Sequence, residues 1–514
     1  MSSRTLSGVI VALACAAGYG QIYPTTPDWV STESRYGTGA SLVDLDLDGW
    51  VDLVVANGND MRQERLEVYY NNGDGTFPTV HDWQSNDTAY NGHLDVADVN
   101  GDGYPDVAVA VLGNGSQHGP AAKLYLNNGG TLSASPSWIS SEVMPAFGCS
   151  FGDMNGDGKP DLAVATGWAY GTPHLYKNLV YVNTGSGLPA SATWQSADSW
   201  DTQGAIWVDA DDDGWLDLAL AASATYSRVY RNLGGVLETT ASWSNESTAQ
   251  DAIMLAAGDV TGDGRIDLFI TDNTQLGGSG RFRQYNGLPG GGFGSTYSWS
   301  FNEGYGSAVA LADVDADGDL DLATGGWWDS TRLFLNTGTG FGASDSWHAT
   351  ATSVVEKIVF ADVNNDGLRT VTETFADPTR SMYSLGHKPV QRVVRVERDG
   401  VVLGPGEYTF SYQDGWISVG AAPASGLVVS YAYTQRPDMA VSNWDANIGD
   451  KLYLNRLGPI CLADFNDDGA VNTLDVLAFL NAWNAGDAGA DCTGDGAINT
   501  IDVLCFLNLW NAGC

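Results

Sequence analysis

Six stretches of this chain place oxygen-bearing side chains at positions 1, 3, 5 and 9 of a short loop with glycine at position 6, and a seventh begins the same pattern. The first is Asp44, Asp46, Asp48 and Asp52 around Gly49. Two more carry four carboxylates: Asp209, Asp211, Asp213, Asp217 and Asp313, Asp315, Asp317, Asp321. One acid gives way to an amide in Asp98, Asn100, Asp102, Asp106 and in Asp153, Asn155, Asp157, Asp161. A hydroxyl takes its place in Asp259, Thr261, Asp263, Asp267. The seventh loop begins as Asp362, Asn364, Asp366 but runs into Leu368-Arg-Thr370 with no ninth-position acid. Its missing half reappears at Pro437-Asp438-Met-Ala-Val441, which matches Pro105-Asp106-Val-Ala-Val109. The spacing therefore predicts that 369–436 is inserted inside the loop and that Asp438 completes it. Alternating oxygens converging on one point suit a hard cation, and Ca²⁺ accepts six to eight of them at roughly 2.3–2.6 Å. Asp and Gly also make ordinary turns, but the ninth position, filled repeatedly, favours metal. Ligand charge helps set affinity, so the three four-Asp loops are expected to bind tightest.

Near the C-terminus the pattern changes to twelve-residue loops with oxygens at positions 1, 3, 5, 9 and 12, the EF-hand arrangement. These are Asp464, Asn466, Asp468, Asn472, Asp475 and Asp491, Thr493, Asp495, Asn499, Asp502. Each loop feeds an apolar run of helical period, Val476–Trp483 and Val503–Trp510.

The elements that must position the first seven loops recur with them. A tryptophan (Trp29, Trp83, Trp138, Trp194, Trp243, Trp299, Trp347) stands 15 residues before the first Asp in five units, and 14 or 16 in the other two. A Leu-Tyr-Leu-Asn-like strand ends at Asn71, Asn127, Asn183, Asn232, Asn286, Asn336 and Asn455. Each unit reads as four short strands over about 50–55 residues, the arithmetic of a propeller blade. The fold expected is mainly β: a seven-bladed β-propeller, with the Trp29 strand completing the last blade and closing the ring. The insert reads as a small β meander or sandwich, with strands at Arg392–Glu397, Tyr408–Tyr412 and Leu427–Tyr433. It holds seven of the 23 basic residues against six acids. Growing from the propeller rim, it is either a specificity element or passive.

These units resemble FG-GAP/VCBS repeats, the family of integrin α-subunit propellers and many secreted bacterial proteins. The resemblance covers roughly 24–456 and implies a seven-bladed propeller with Ca²⁺ in the Asp-rich loops. The tail resembles a dockerin over about 461–514, which implies a small α-helical domain, two further Ca²⁺ and a cohesin-like or cell-surface scaffold as partner. By that resemblance Thr473, Leu474, Thr500 and Ile501 occupy the positions that contact cohesin. The helices lack the basic residues common after dockerin loops, and the alternative is a disulfide-stapled cap that anchors nothing.

The expected organisation is a signal peptide over 1–20, a propeller over 21–456 interrupted by the 369–436 insert, a linker over 457–460 and the dockerin-like segment over 461–514. The short apolar run Gly8-Val-Ile-Val-Ala-Leu-Ala14 followed by small residues reads as a secretory signal, with Leu13-Ala14-Cys15 a faint lipoprotein alternative. No later run is long enough to span a membrane. Four of six cysteines (Cys461, Cys492, Cys505, Cys514) crowd the tail, as in an exported, disulfide-held unit, with three pairings open. A formal charge of −39 excludes nucleic acid as a partner. Seven propeller ions and two in the tail would bring it to about −21. The six histidines (His81, His93, His118, His174, His348, His387) fall in no catalytic motif. A secreted binding or adhesion module is therefore expected, with a polysaccharide-binding or polysaccharide-degrading component as the alternative. Trp168, Trp327 and Trp328 either stack on a glycan or pack in the core.

Overall fold

The computed structural model describes residues 21–514 except 115–117, 169–174, 246–249, 339, 458–462, 466–470, 491, 493–497 and 513–514. The expected signal peptide and its cleavage site, linker residues 458–460, and Cys461 and Cys514 lie outside the described residues.

Seven antiparallel four-stranded blades form a ring. Blade 1 consists of Gly37–Val43, Asp52–Gly58, Gln63–Tyr69 and Trp83–Gln84, and blades 2 to 6 repeat the order. Blade 7 is assembled from both ends of the propeller: Ser353–Ala361, Asp438–Asn443, Lys451–Tyr453, and the N-terminal strand Trp29–Val30, which pairs Trp29 with Leu452. The ring is thereby closed, as the sequence predicts, and the repeat unit is offset from the blade by one strand. Each tryptophan forms the outer strand of the blade before its own acidic loop.

Two of the recurring residues fasten neighbouring blades. Trp29, at the rim of blade 7, meets Tyr69 of blade 1 edge-on at 5.3 Å, and its indole N–H donates to Pro78 O at 3.1 Å. Trp138 and Trp194 repeat this against Tyr181 and Tyr230 of the following blades. Such edge-to-face pairs add about 0.5–1.5 kcal/mol beyond area burial. Nearer the axis the inner strands approach so closely that glycine is required: a Cβ on Gly39 would lie 2.8 Å from Leu94 N, and one on Gly148 2.5 Å from Gln203 O. Second strands such as Asp106–Val111 and Asp161–Thr166 are buried throughout, as expected of strands covered on both faces.

The chain between the halves of blade 7 folds into two small sheets around Tyr383, Val396, Ile417, Val429 and Tyr431. The expected strands are present as Val390–Arg398, Tyr408–Phe410 and Leu427–Thr434, joined by Leu368–Phe375, Met382–Ser384 and Trp416–Val419. Its position corrects the expectation of an outgrowth from the rim. It lies over the acidic-loop face, against Gly101, Gly158 and Gly214, and caps the axial cavity at that end with Lys388, Ser411, Gln413 and Asp414. Gln413 exchanges hydrogen bonds with both N and O of Phe360, and Gln391 does the same with Asp362. These two amides extend the hydrogen-bonding of the inner strand of blade 7, which holds the insert over the axis.

In the tail, α1 (Thr473–Ala485) and α2 (Thr500–Ala512) pack through Phe479 and Phe506, whose rings stack at 4.2 Å. Cys492 and Cys505 form a disulfide. The short segment Ala488–Ala490 packs on the insert strand Leu368–Phe375. No helix among the described residues is long and apolar enough to cross a membrane.

Candidate metal centres

Each acidic loop joins the inner strand of a blade to its second strand, and all seven share one hydrogen-bond scheme. The position-1 carboxylate accepts the N–H of the position-6 glycine: Gly49 to Asp44 at 3.0 Å, Gly103 to Asp98 at 2.7 Å, Gly367 to Asp362 at 2.8 Å, and likewise in the others. Position 4 is left-handed throughout, even where it is not glycine, as at Leu47 (φ 59°) and Ala316 (φ 60°). This curls the loop over its position-1 carboxylate, which in loop 1 also accepts the position-5 N–H of Asp48 at 3.1 Å. Non-glycine residues seldom adopt that conformation, so the strain marks a loop shaped for what it encloses.

The ninth-position carboxylate anchors the loop from below. Asp52 accepts Leu45 N–H at 3.0 Å on one oxygen and Asn71 N–H at 2.9 Å on the other. Asp106, Asp161, Asp217 and Asp321 repeat both contacts. Asp438 does the same from the far side of the insert, taking Val363 N–H at 3.0 Å and Asn455 N–H at 2.7 Å. The seventh loop is thus one geometric unit although 71 residues separate Asp366 from Asp438.

Carboxylate oxygens lie within 4.8 Å of one another in Asp44, Asp46, Asp48, in Asp209, Asp211, Asp217 and in Asp313, Asp315, Asp321. Asp313 Oδ1 and Asp315 Oδ1 are buried with no hydrogen-bond partner. Unpaired buried acceptors at that spacing fit a cation, because each is otherwise left without compensation for lost water. Burial, reinforced by neighbouring acids, pushes Asp106, Asp217 and Asp313 up to about 7 and Asp52 and Asp321 up to about 8. Without a cation these groups resist ionising together; the donor set is that of a hard divalent ion.

Models of the FG-GAP-like repeat match residues 44–109, 109–164, 209–270, 259–324 and 313–369, together more than half of the chain, and the FG-GAP repeat matches 150–185. The chain belongs to the FG-GAP-repeat family. The dockerin type I domain matches residues 462–508. Integrin alpha-6 of Homo sapiens is 27% identical over 146 residues, which span 26% of this chain and 12% of that protein. Among solved structures, BBS1N in complex with ARL6DN, soaked with mercury, aligns with TM-score 0.44 at 11% identity over 79% of this chain and 96% of that one. Saccharomyces cerevisiae Sqt1 aligns with TM-score 0.43 at 9% identity over 86% and 99%.

The asparagine that recurs in this FG-GAP propeller clasps adjacent blades. Asn127 donates to Pro105 O in its own blade at 3.1 Å and to Leu45 O of blade 1 at 2.8 Å. Asn71, Asn183, Asn232, Asn336 and Asn455 each reach back to the preceding blade in the same way. Asn286 is the exception and corrects the sequence alignment. It falls one residue early, so Gly287 takes the Asp267 contact at 2.9 Å, and Gly292 N–H supplies the bond to Ala210 O at 2.9 Å.

The surroundings of the FG-GAP loops differ in ways their motifs do not reveal. Arg231 pairs with Asp211, and Arg380 lies 2.7 Å from Asp212 and 3.8 Å from Asp209. Arg265 pairs with Asp263, and Arg436 reaches Asp366 at 3.0 Å. Ser418 donates to Asp153 at 2.7 Å and Thr434 to Asp362 at 3.2 Å. Among the described residues no basic side chain pairs with an acid of the first or sixth loop. Arg380, Arg436, Ser418 and Thr434 belong to the insert, and no local sequence signal could have linked them to these loops.

In the dockerin-type tail, Asn466, Asp468, Asp491, Thr493 and Asp495 lie outside the described residues. Asp475 accepts Asn472 N–H at 2.7 Å, and Asp502 accepts Asn499 N–H at 2.8 Å. Asp464, Asp475 and Asp502 are buried, whereas Thr473, Leu474, Thr500 and Ile501 are exposed. Of the tryptophans considered for glycan stacking, Trp168 and Trp327 are buried and only Trp328 is exposed.

Proposed function

We propose that this chain is a secreted, calcium-loaded propeller that acts as a binding module and is tethered through its dockerin to a cohesin-bearing scaffold. The observation that carries the anchoring half is a duplicated apolar face. Leu474, Leu477 and Leu480 on α1 and Ile501, Leu504 and Leu507 on α2 are all exposed at three-residue intervals, in register with one another. Side chains so spaced share one helix face, and apolar faces left to solvent mark interaction surfaces. Both helices begin at the ends of the predicted ion loops, so metal would order the face that docks.

In the propeller, Ca²⁺ is assigned to the oxygens at positions 1, 3, 5 and 9 of all seven loops, with Asp438 serving the seventh. Loops 1 and 6 combine four carboxylates with no competing cation and are the tightest sites. Loop 4, equal to them in sequence, ranks lower because Arg231 and Arg380 already share its charge. Pull-down of the full chain by an immobilised type I cohesin tests the tether: capture in millimolar Ca²⁺, loss in EDTA, and loss in the double variant Leu474→Arg/Ile501→Arg. Equal recovery of that variant and the native chain overturns the assignment.

A further inference from the structure

The insert leaves part of the loop face uncovered. A Cβ on Gly103, Gly158 or Gly214, in loops 2 to 4, would touch Pro405, Gly420 or Arg380 of the insert. The corresponding glycines of loops 5 and 6, Gly264 and Gly318, meet nothing within 4 Å. Between those two loops and the insert lies a cleft of about 400 Å³, within the size range of small-ligand sites (about 300–1,000 Å³).

Its walls are chemically distinct. The propeller side presents Asp259, Asp313 and Asp317, which the proposed ions claim; the insert side presents Lys388, Asp414, Ser384 and Gln435 around a flat pair of rings, His387 stacked on Tyr433 at 3.9 Å and 11°. His387 is exposed and Tyr433 nearly buried, so the phenol backs the imidazole and fixes its plane. Lys388 is held in place by donating to Ala257 O at 2.8 Å.

We propose that this cleft is a saccharide-binding site. A sugar ring has an apolar C–H face and a rim of hydroxyls. The first matches a rigid aromatic platform, and the second matches the polar groups beside it on the insert, Ser384, Asp414 and Gln435. A purely hydrocarbon ligand would cover that polar lining with nothing to hydrogen-bond it. The proposal rests on the binding-module reading above and gives it a location and a ligand class.

The test uses the full chain in Ca²⁺ against cellohexaose, xylohexaose, chitohexaose and oligogalacturonate, followed by calorimetry on whichever binds. His387→Ala removes the platform, Ser384→Trp fills the cleft from an exposed lining position, and Trp328→Ala alters an exposed indole outside it. The expected result is saccharide binding by the native chain, weakened at least tenfold by the first two variants and unchanged by the third, with equal melting temperatures. Binding to none of the four, binding that only Trp328→Ala weakens, or capture of oligolysine instead of a saccharide overturns the proposal. Cohesin capture of the same variants is measured in parallel. Its loss in the native chain sinks the tether and leaves the cleft standing, whereas failure of the saccharide assay with capture intact sinks the cleft alone.

Discussion

The loops under the insert and the loops beside it share one motif but have different environments. Loop 4 and loop 6 each carry four aspartates at the same positions. Over loop 4 the insert lays Arg380 against Asp212 and Asp209; over loop 6 it leaves an open cleft with Asp313 Oδ1 unpaired. The covered loops therefore bind the insert as well as any ion, and the open loops are available to solvent and ligand. The joint between blades 4 and 5, where the insert's cover ends, is also where the asparagine clasp is missing and Gly292 substitutes for it. Carboxylate count alone is a poor guide to a site's affinity when a second part of the chain competes for the same charge.

The largest effect that can sharpen this comparison is metal removal. Ligand at 100 times its Kd adds about 2.7 kcal/mol per site, so EDTA is expected to lower Tm by more than about 10 °C when several sites empty. A calorimetric scan with and without chelator reads it directly; an unchanged Tm contradicts ion cages in covered and open loops alike. Next in size is Asp438→Asn against Asp321→Asn. Both lose a charge-assisted pair of backbone contacts, at a cost of about 2–4 kcal/mol. Only the first loosens the root of the insert, so limited proteolysis should cut within 369–436 in Asp438→Asn and spare it in Asp321→Asn. Identical digestion patterns would erase the distinction.

A smaller effect follows from acidity in chelator. Asp106, Asp217 and Asp313 are raised to about 7 in the folded state, above the unfolded value near 3.9. The folded, metal-free chain thus holds more protons than the unfolded chain between about pH 4 and 7, and stability falls as pH rises through that window. In EDTA the Tm should be higher at pH 5 than at pH 8, while saturating Ca²⁺, which replaces those protons, should flatten or reverse the trend. The smallest effect is expected from Arg380→Ala. Its ion pairs are partly exposed and contribute about 0–1 kcal/mol, yet Ca²⁺ affinity at loop 4 should rise a few-fold toward that of loop 6. Isothermal titration of single-loop variants would detect it, and a fall in affinity would show that the arginine supports the site.

The sequence by itself determined the ring. Position-specific oxygens, the tryptophan spacing and the split at Leu368 and Asp438 are local or periodic features, and each blade repeats them because each must solve the same packing problem against its neighbour. Even the pairing of Trp29 with the last blade follows from counting strands. Asn286 misled because a one-residue slip at a blade edge is invisible until the strand register is known: Tyr285 aligns with Tyr69, which puts Gly287 where the other blades have their asparagine. Only the tertiary structure decided where the insert lies. Ser418 meets Asp153 across 265 residues and Arg380 meets Asp212 across 168, and contacts between segments so distant are set by how two folded surfaces fit, which no local pattern encodes. That fit fixed which cages stay open and left a cleft over blades 5 and 6.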